Sequence, residues 1–333
     1  MLSVAALTHK CLIEIQMMNI ADNATCTKPM LGVVLSLFDG MSCGQIALNR
    51  AGISYGKYYA SEIDKHAIKV TQHNYPNTIQ LGSVTEIKGT DLPQVDLLIG
   101  GSPCQGFSFS GKQLNFDDPR SKLFFEFVRL IKECKPKYWL LENVVMKKEF
   151  EQVITEHLGV EPIKINSALV SAQNRERLYW ANFPIEQPND KGIKLIDILE
   201  DTEMIGPSAI RGRRLNKATI LGRRLNEKGK REDYNKEIPI TQCLEVRATN
   251  RDKSNCLTTV AKDNVLTTMP IGRHPDAFKN NLLFRYYTIK EYCRLQTVPE
   301  NYFYGVATEN QIRKMIGNGW TVDVIAHIFG GLS

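Results

Sequence analysis

At 333 residues, with 43% hydrophobic and 23% charged side chains, the chain can form one large domain plus a smaller one around a real core. Its net charge of +6 is too small to identify a partner and excludes only repulsion of an acidic one. No apolar run is long enough to span a membrane, and Cys11–Met18, interrupted by Glu14 and Gln16, is too short and polar for a secretory segment.

Met17, Met18 and Met30 all precede the first strong strand, so residues 1–30 read either as a frayed extension or as sequence upstream of the start. Leu31–Phe38 is a short apolar run ending in Asp39-Gly40, the pattern of a buried parallel strand, and Gly44–Ala51 reads as the helix after it. Tyr58–Glu62 is a second strand, Asp64–Asn74 a second helix, and Val95–Gly100 a third strand running into Gly-Ser-Pro-Cys. Phe124, Phe127, Val128 and Ile131 fall at helical spacing, Tyr138–Leu141 is a further strand, and 163–170 with 178–183 form a strand pair. Strands and helices alternating at this density predict an α/β, doubly wound, Rossmann-like sheet covered on both faces.

The texture changes near Glu186. Between Arg211 and Arg231 there are nine Lys/Arg against one acid, Glu227, and Gly-Arg-Arg-Leu-Asn occurs at both 212–216 and 222–226, as in two arms of a hairpin. Amphipathic helices return at Asn310–Met315 and Thr321–Phe329. The expected organisation is an extension at 1–30, a main domain at 31–187, a smaller irregular domain at 188–304, and a segment at 305–333 returning to the first.

Eight cysteines are present, and no two lie closer than the 13 residues between Cys243 and Cys256. That spacing predicts no metal site and a reduced, cytoplasmic protein with mostly buried thiols. Cys104 is the exception, because it follows a central strand in Gly100-Gly101-Ser102-Pro103-Cys104, where the backbone turns into a cleft. The neighbouring strand ends in Glu142-Asn143, so an acid can face that thiol. A carboxylic acid there makes sense as a proton donor to a substrate rather than as an activator of the thiol. In Gln173-Asn174-Arg175-Glu176-Arg177, two arginines two residues apart point the same way on a strand, toward an anion, a carbonyl or Glu142. The turn Phe38-Asp39-Gly40 with Ser42 and Gly44 makes a crevice at the first strand's end, and Glu62 suits a ribose diol. With no GxGxxG and no Walker lysine, a nucleoside without a long phosphate chain fits better than a dinucleotide.

These stretches, in this order, resemble the cytosine-5 DNA methyltransferase family: Phe-Asp-Gly-x-x-x-Gly, Pro-Cys-Gln, Glu-Asn-Val, Gln-x-Arg-x-Arg, Arg294-Leu295-Gln296-Thr297-x-Pro299 and Gly317-Asn318-Gly319. Details such as Gly-x-x-Trp-x-Val-x-Val-Ile-x-His resemble the eukaryotic de novo branch, whereas the region 188–304 is of a bacterial or phage type. The resemblance implies S-adenosylmethionine as cofactor, duplex DNA as substrate, a smaller target-recognition domain, and Cys104, Glu142, Arg175 and Arg177 as catalytic residues. It implies a cofactor pocket of Phe38, Gly40, Ser42, Gly44, Glu62, Ile63, Ser83, Val84, Pro103, Leu123 and Asn318. Ser83 stands where an adenine-contacting Asp is usual, and a hydroxyl is the weaker acceptor. Asp39 and Cys43 also depart from the bacterial pattern.

DNA contacts are expected from Gln105, Ser108, Arg213, Arg214, Arg223, Arg224 and Arg247, with Lys253–Thr259 as a candidate recognition loop. A monomer in a bacterial or phage-infected cell, with or without a restriction endonuclease acting on the same site, is the expected setting. An RNA cytosine methyltransferase, a non-catalytic DNA-binding homologue and a folate-dependent pyrimidine-nucleotide synthase are the competing readings.

Overall fold

Seven strands form the larger sheet, in the order β3-β2-β1-β4-β5-β7-β6. They are β1 (Leu31–Leu37), β2 (Tyr55–Ser61), β3 (Ile79–Gln80), β4 (Leu97–Gly101), β5 (Tyr138–Val144), β6 (Ile163–Asn166) and β7 (Glu176–Ala181). The first five pair in parallel, and β7 runs antiparallel to both β5 and β6. The helices associated with this sheet are α1 (Cys43–Ala51), α2 (Lys65–Asn74), α3 (Pro119–Cys134), α4 (Lys148–Leu158) and α5 (Leu195–Ile198). Three more lie near the C-terminus: α6 (Ile289–Leu295), α7 (Glu309–Asn318) and α8 (Val322–Phe329). The computed structural model describes residues 29–103, 119–200, 216–228, 230–246, 252–278 and 284–332.

Alternation along β1 explains the two-sided cover. Val34 enters one core with α1, α2, α7 and α8, whereas Val33, Leu35 and Leu37 enter a second with Phe124, Phe127 and Ile154 of α3 and α4; Leu31, at the strand's start, joins the first core. A parallel strand buried on both faces reads as a continuous apolar run, as this one does. The first core also takes in Leu195, Ile198, Tyr287, Tyr292 and Leu295, so chain on both sides of the smaller sheet packs back onto the larger one. Strand β2 starts earlier than its sequence pattern suggests. Pairing with β1, Leu31 opposite Tyr55, extends it through exposed Gly56 and Lys57, and Glu62 lies one residue past its end.

The smaller sheet is antiparallel, in the order β11-β9-β8-β10-β12. Its strands are β8 (Asn216–Arg224), β9 (Ile240–Val246), β10 (Val265–Thr267), β11 (Gly272–His274) and β12 (Phe284–Tyr286). Ala218, Ile220, Leu244, Val246 and Val265 form its own small core. The two Gly-Arg-Arg-Leu-Asn copies are not the arms of a hairpin. Asn216 of the first copy begins β8 and Gly222–Arg224 of the second ends it, and the antiparallel partner along this strand is β9.

The chain's last described helix returns to its first. Arg50 of α1 pairs with Asp323 of α8 and donates to the Thr297 carbonyl at 2.7 Å. No helix among the described residues is long and apolar enough to cross a membrane.

Candidate active site

Strand order reverses between β1 and β4, where a doubly wound sheet opens a crevice at its carboxyl edge. A pocket of about 340 Å³ lies there, walled by the turn after β1, the ends of β4 and β5, and residues 314–320. That volume suits a nucleoside-sized ligand.

The turn after β1 holds an unusual backbone. Phe38, Gly40 and Ser42 all have positive φ, at 56°, 59° and 65°. For a phenylalanine or serine this conformation costs of order 1–3 kcal/mol and persists only where surroundings impose it. Here they do: the Glu62 carboxylate accepts from Gly40 N at 2.8 Å, Asp39 N donates to the Ser61 carbonyl, and Tyr302 Oη donates to the Met41 carbonyl at 2.7 Å. Glu62 also accepts from the amides of Ile63 and Asp64, which fixes its carboxylate on the pocket wall.

Beneath the turn, the Asp39 carboxylate accepts from Tyr58 Oη at 2.8 Å, while its Oδ2 has no hydrogen-bond donor. Burial pushes its pKa up to about 6, against the opposing effects of the Ser36, Tyr58 and Ser42 hydroxyls, and the nearby Glu62 charge adds to the rise.

Glu142 lies near the end of β5, opposite Gly101 of β4. Both carboxylate oxygens are engaged: Oε1 with Arg177 Nε at 3.0 Å and Oε2 with Trp320 Nε1 at 3.0 Å. Register explains the arginine. Arg177 of β7 pairs with Val144, which shares a strand face with Glu142. Burial is the largest single influence on Arg177 and would lower its pKa, but the charges of Glu142, Cys256 and Tyr179 together with the Cys256 hydrogen bond hold it above its usual value. Position 101 must be glycine, since a Cβ there would lie 2.9 Å from both Glu142 Oε2 and Trp320 Nε1. Next to the acid, Asn143 Nδ2 donates to Ser102 Oγ at 3.0 Å and ties β5 to the exit of β4.

Of the expected site residues, Phe38, Gly40, Glu62, Pro103, Glu142, Arg175, Arg177 and Asn318 line this pocket. Ser42 is fully buried and accepts from Gln45, and Gly44 gives room to Tyr58 and Ile99, so both shape the turn from beneath. Ile63 is 78% exposed and is not among the residues that line the pocket. The Ser83 hydroxyl caps the turn that holds Val84 and is shared with Thr85 Oγ1 at 2.8 Å; Val84 and Leu123 pack on the second core. Cys104, Gln105, Ser108, Arg213, Arg214 and Arg247 lie outside the described residues.

Several expectations change. Arg175 precedes β7 rather than lying on it, and its buried guanidinium donates to the Leu257, Gly317 and Gly319 carbonyls at 3.0, 3.2 and 2.9 Å. Of the anion, carbonyl or Glu142 expected for it, it meets carbonyls, and through them it braces the segment leading to Trp320. Lys253–Thr259 is an anchor more than a loop for reading DNA. Lys253 Nζ donates to the carbonyls of Ala168, Ser171 and Ile193, Ser254 and Leu257 are buried, and Leu257 N donates to Gln173 Oε1. Arg223 is held by Glu245 and Asp233, and Arg224 by the carbonyls of Lys236 and Ile238.

Trp320, Asp39, Asn143 and the Lys314–Asp64 ion pair at 2.9 Å were not assigned roles from sequence. The tryptophan was visible within its motif, but nothing local indicated that its N–H meets an acid on β5.

The profile of the C-5 cytosine-specific DNA methylase family matches residues 33–333. Among curated proteins, the chain is 31% identical over 294 residues to the type II methyltransferase M1.ScrFI of Lactococcus lactis subsp. cremoris, covering 80% of this chain and 69% of that protein. It is 38% identical over 162 residues to the orphan methyltransferase M.SPRI of Bacillus phage SPR, covering 44% of this chain and 36% of that protein. The matched stretch thus spans little more than a third of that phage relative. Among solved structures, the Entamoeba histolytica methyltransferase EhMeth superposes with a TM-score of 0.66 at 16% identity, covering 91% of this chain and 98% of that one. The S. pombe Dnmt2 methyltransferase gives 0.58 at 19%, covering 89% and 96%, and both show the fold alone. On the family match, which extends from β1 to the end of the chain, this protein belongs to the C-5 cytosine-specific DNA methylases.

Proposed function

We propose that the protein transfers a methyl group from S-adenosylmethionine to C5 of a cytosine in duplex DNA. One observation carries this reading: Glu142 is held on the pocket wall by Arg177 and Trp320, beside the strand exit that leads to Cys104. The pocket fits the cofactor. Glu62 offers a fixed carboxylate for ribose hydroxyls, and Asp39 sets a buried carboxylate beneath the pocket wall, where a positively charged ligand would be favoured. When bound, the cofactor supplies an electrophilic methyl group.

The chain's own groups do the rest. The Cys104 thiolate adds to C6 of a cytosine turned out of the stack, and Glu142 protonates or hydrogen-bonds N3, so electron density builds at C5. C5 takes the methyl group, with the neutral thioether as leaving group; a base then removes the C5 proton, Glu142 takes back any proton given to N3, and the Cys104–C6 bond breaks to restore the aromatic ring and the thiolate. Arg177 orients the acid and reaches the cytosine carbonyl. Residues 188–304 form the target-recognition domain, 31–187 with 305–333 the catalytic one, and the protein works as a monomer. A restriction endonuclease cutting the same unmethylated site is a fitting companion.

Bisulfite sequencing of DNA from cells expressing the protein tests activity and target together. Methylcytosine at a fixed sequence context is expected, lost with Cys104→Ser while cofactor binding persists. Label from methyl-labelled S-adenosylmethionine entering tRNA and not DNA would overturn the substrate, and entering neither would overturn the activity.

A further inference from the structure

One face of the smaller sheet carries a row of alternating charges. Asp233 bridges Arg231 and Arg223, and Glu245 bridges Arg223 and Arg273, with Arg223 Nε at 2.9 Å and Arg273 Nε at 3.3 Å from Glu245 Oε1. The central Arg223 side chain is only 13% exposed, whereas the outer Arg231 and Arg273 are 51% and 35% exposed. In both outer arginines the Nε end is tied to a carboxylate, and the Nη ends make no hydrogen bond among the described residues. Three guanidiniums against two carboxylates leave this row positive.

The row's direction follows from register. Glu245 pairs with Thr219 and with Arg273, and side chains at these positions share one sheet face. Ala218, Ile220, Leu244 and Val246 point to the other face, into the sheet's own core. On the arginine face, Leu266 of β10, opposite Lys217 of β8, joins the core of the larger sheet, and Arg285 of β12, opposite Leu266, makes a bidentate pair with Glu291 of α6 at 2.7 Å. The face that carries the arginines is therefore the one turned toward the catalytic core.

We propose that Arg231 and Arg273 clamp backbone phosphates of the DNA duplex as it lies between the smaller sheet and the catalytic pocket. The proposal rests on the methyltransferase reading above and names the surface that would position its substrate. Phosphate suits these two side chains better than a base edge. Tethered at Nε to carboxylates of the sheet and its connecting turn, they lie close to the sheet and reach the ridge of a duplex, whereas base edges lie about 8.5 Å down the major groove. Holding Nε also orients each fork before DNA arrives, so little side-chain freedom is lost on binding.

The test measures fluorescence anisotropy of wild type and Arg231→Ala/Arg273→Ala on a random-sequence duplex pool and on the duplex methylated in cells, each across a salt series. Both carboxylates keep Arg223 in this variant, and its melting temperature checks the fold. Weaker binding to both duplexes is expected, with the slope of log affinity against log salt smaller by about 2. Arg→Lys at both positions should restore most of that slope, which a purely structural role would not require. An unchanged slope, or a loss confined to the methylated sequence, would overturn phosphate clamping while leaving the enzyme reading intact. A wild type that neither binds nor methylates duplex DNA would remove the methyltransferase reading, and this proposal with it.

Discussion

Trp320 donates its indole N–H to the Glu142 carboxylate at 3.0 Å, across 178 residues of chain. This bond joins the C-terminal segment to the strand that carries the candidate acid. Arg175 supports it by holding the Gly317 and Gly319 carbonyls.

Trp320→Phe keeps the ring and removes the donor. A hydrogen bond to a charged group contributes about 1.5–3 kcal/mol, so the variant should melt a few degrees lower and, with Glu142 no longer held for the reaction, methyl transfer should fall by roughly 10- to 100-fold. Steady-state rates with labelled cofactor check this, and an unchanged rate would show that Glu142 needs no indole partner.

Glu142→Gln preserves an oxygen to accept from Trp320 but cannot give up a proton. Loss of general-acid assistance typically costs about 10²–10⁴ in rate. The expected outcome is that loss, with binding of the product cofactor, measured by calorimetry, close to wild type. Retention of more than a tenth of the activity would argue against a proton-donating role.

Asp39 should leave a pH signature on stability. Its pKa rises from 3.8 to about 6 on folding, because burial penalises the charged form. The folded state therefore binds the proton more tightly than the unfolded one, and stability falls as pH rises between these values. The stabilisation is fully present below pH 3.8 and lost as pH passes 6, amounting to about 3 kcal/mol. Without ligand, Asp39→Asn should melt several degrees higher than wild type at pH 7.5 and nearly together with it at pH 4. The same difference at both pH values would refute this account.

Glu291→Ala should be the most destabilising of these changes. Its carboxylate is fully buried, accepts from both Nη atoms of Arg285 at 2.7 Å, and also accepts from the Thr288 and Glu200 amides. Removing one partner strands a buried guanidinium at a cost of about 3–5 kcal/mol. Urea denaturation should show a loss of that size, and a loss under 1 kcal/mol would mean that the pair is readily replaced by solvent.

Ser83→Asp tests the weaker acceptor at the expected adenine position. A carboxylate forms the stronger hydrogen bond to an amino group, so cofactor affinity should rise several-fold by calorimetry. Equal affinity would place the adenine elsewhere.

Much of the fold was legible in the chain because its determinants are local. A strand buried on both faces writes itself as an apolar run, and Leu31–Leu37 ends where a glycine turn and a helix begin. The same punctuation marked Glu62 and Glu142 as polar residues at strand ends, and a doubly wound sheet gathers those ends at one edge. What needed the tertiary structure was each side chain's partner. Arg175 and Arg177 look equivalent in sequence, yet one braces three carbonyls and the other meets Glu142, because β7 begins between them. Lys253 and Arg223 read as exposed cations until carbonyls from residues 168, 171 and 193 surround the first, and two strand-borne and turn-borne acids hold the second. Composition sets how many charges a segment carries. Only the packing of distant elements decides which of them are neutralised within the protein and which are left for a ligand.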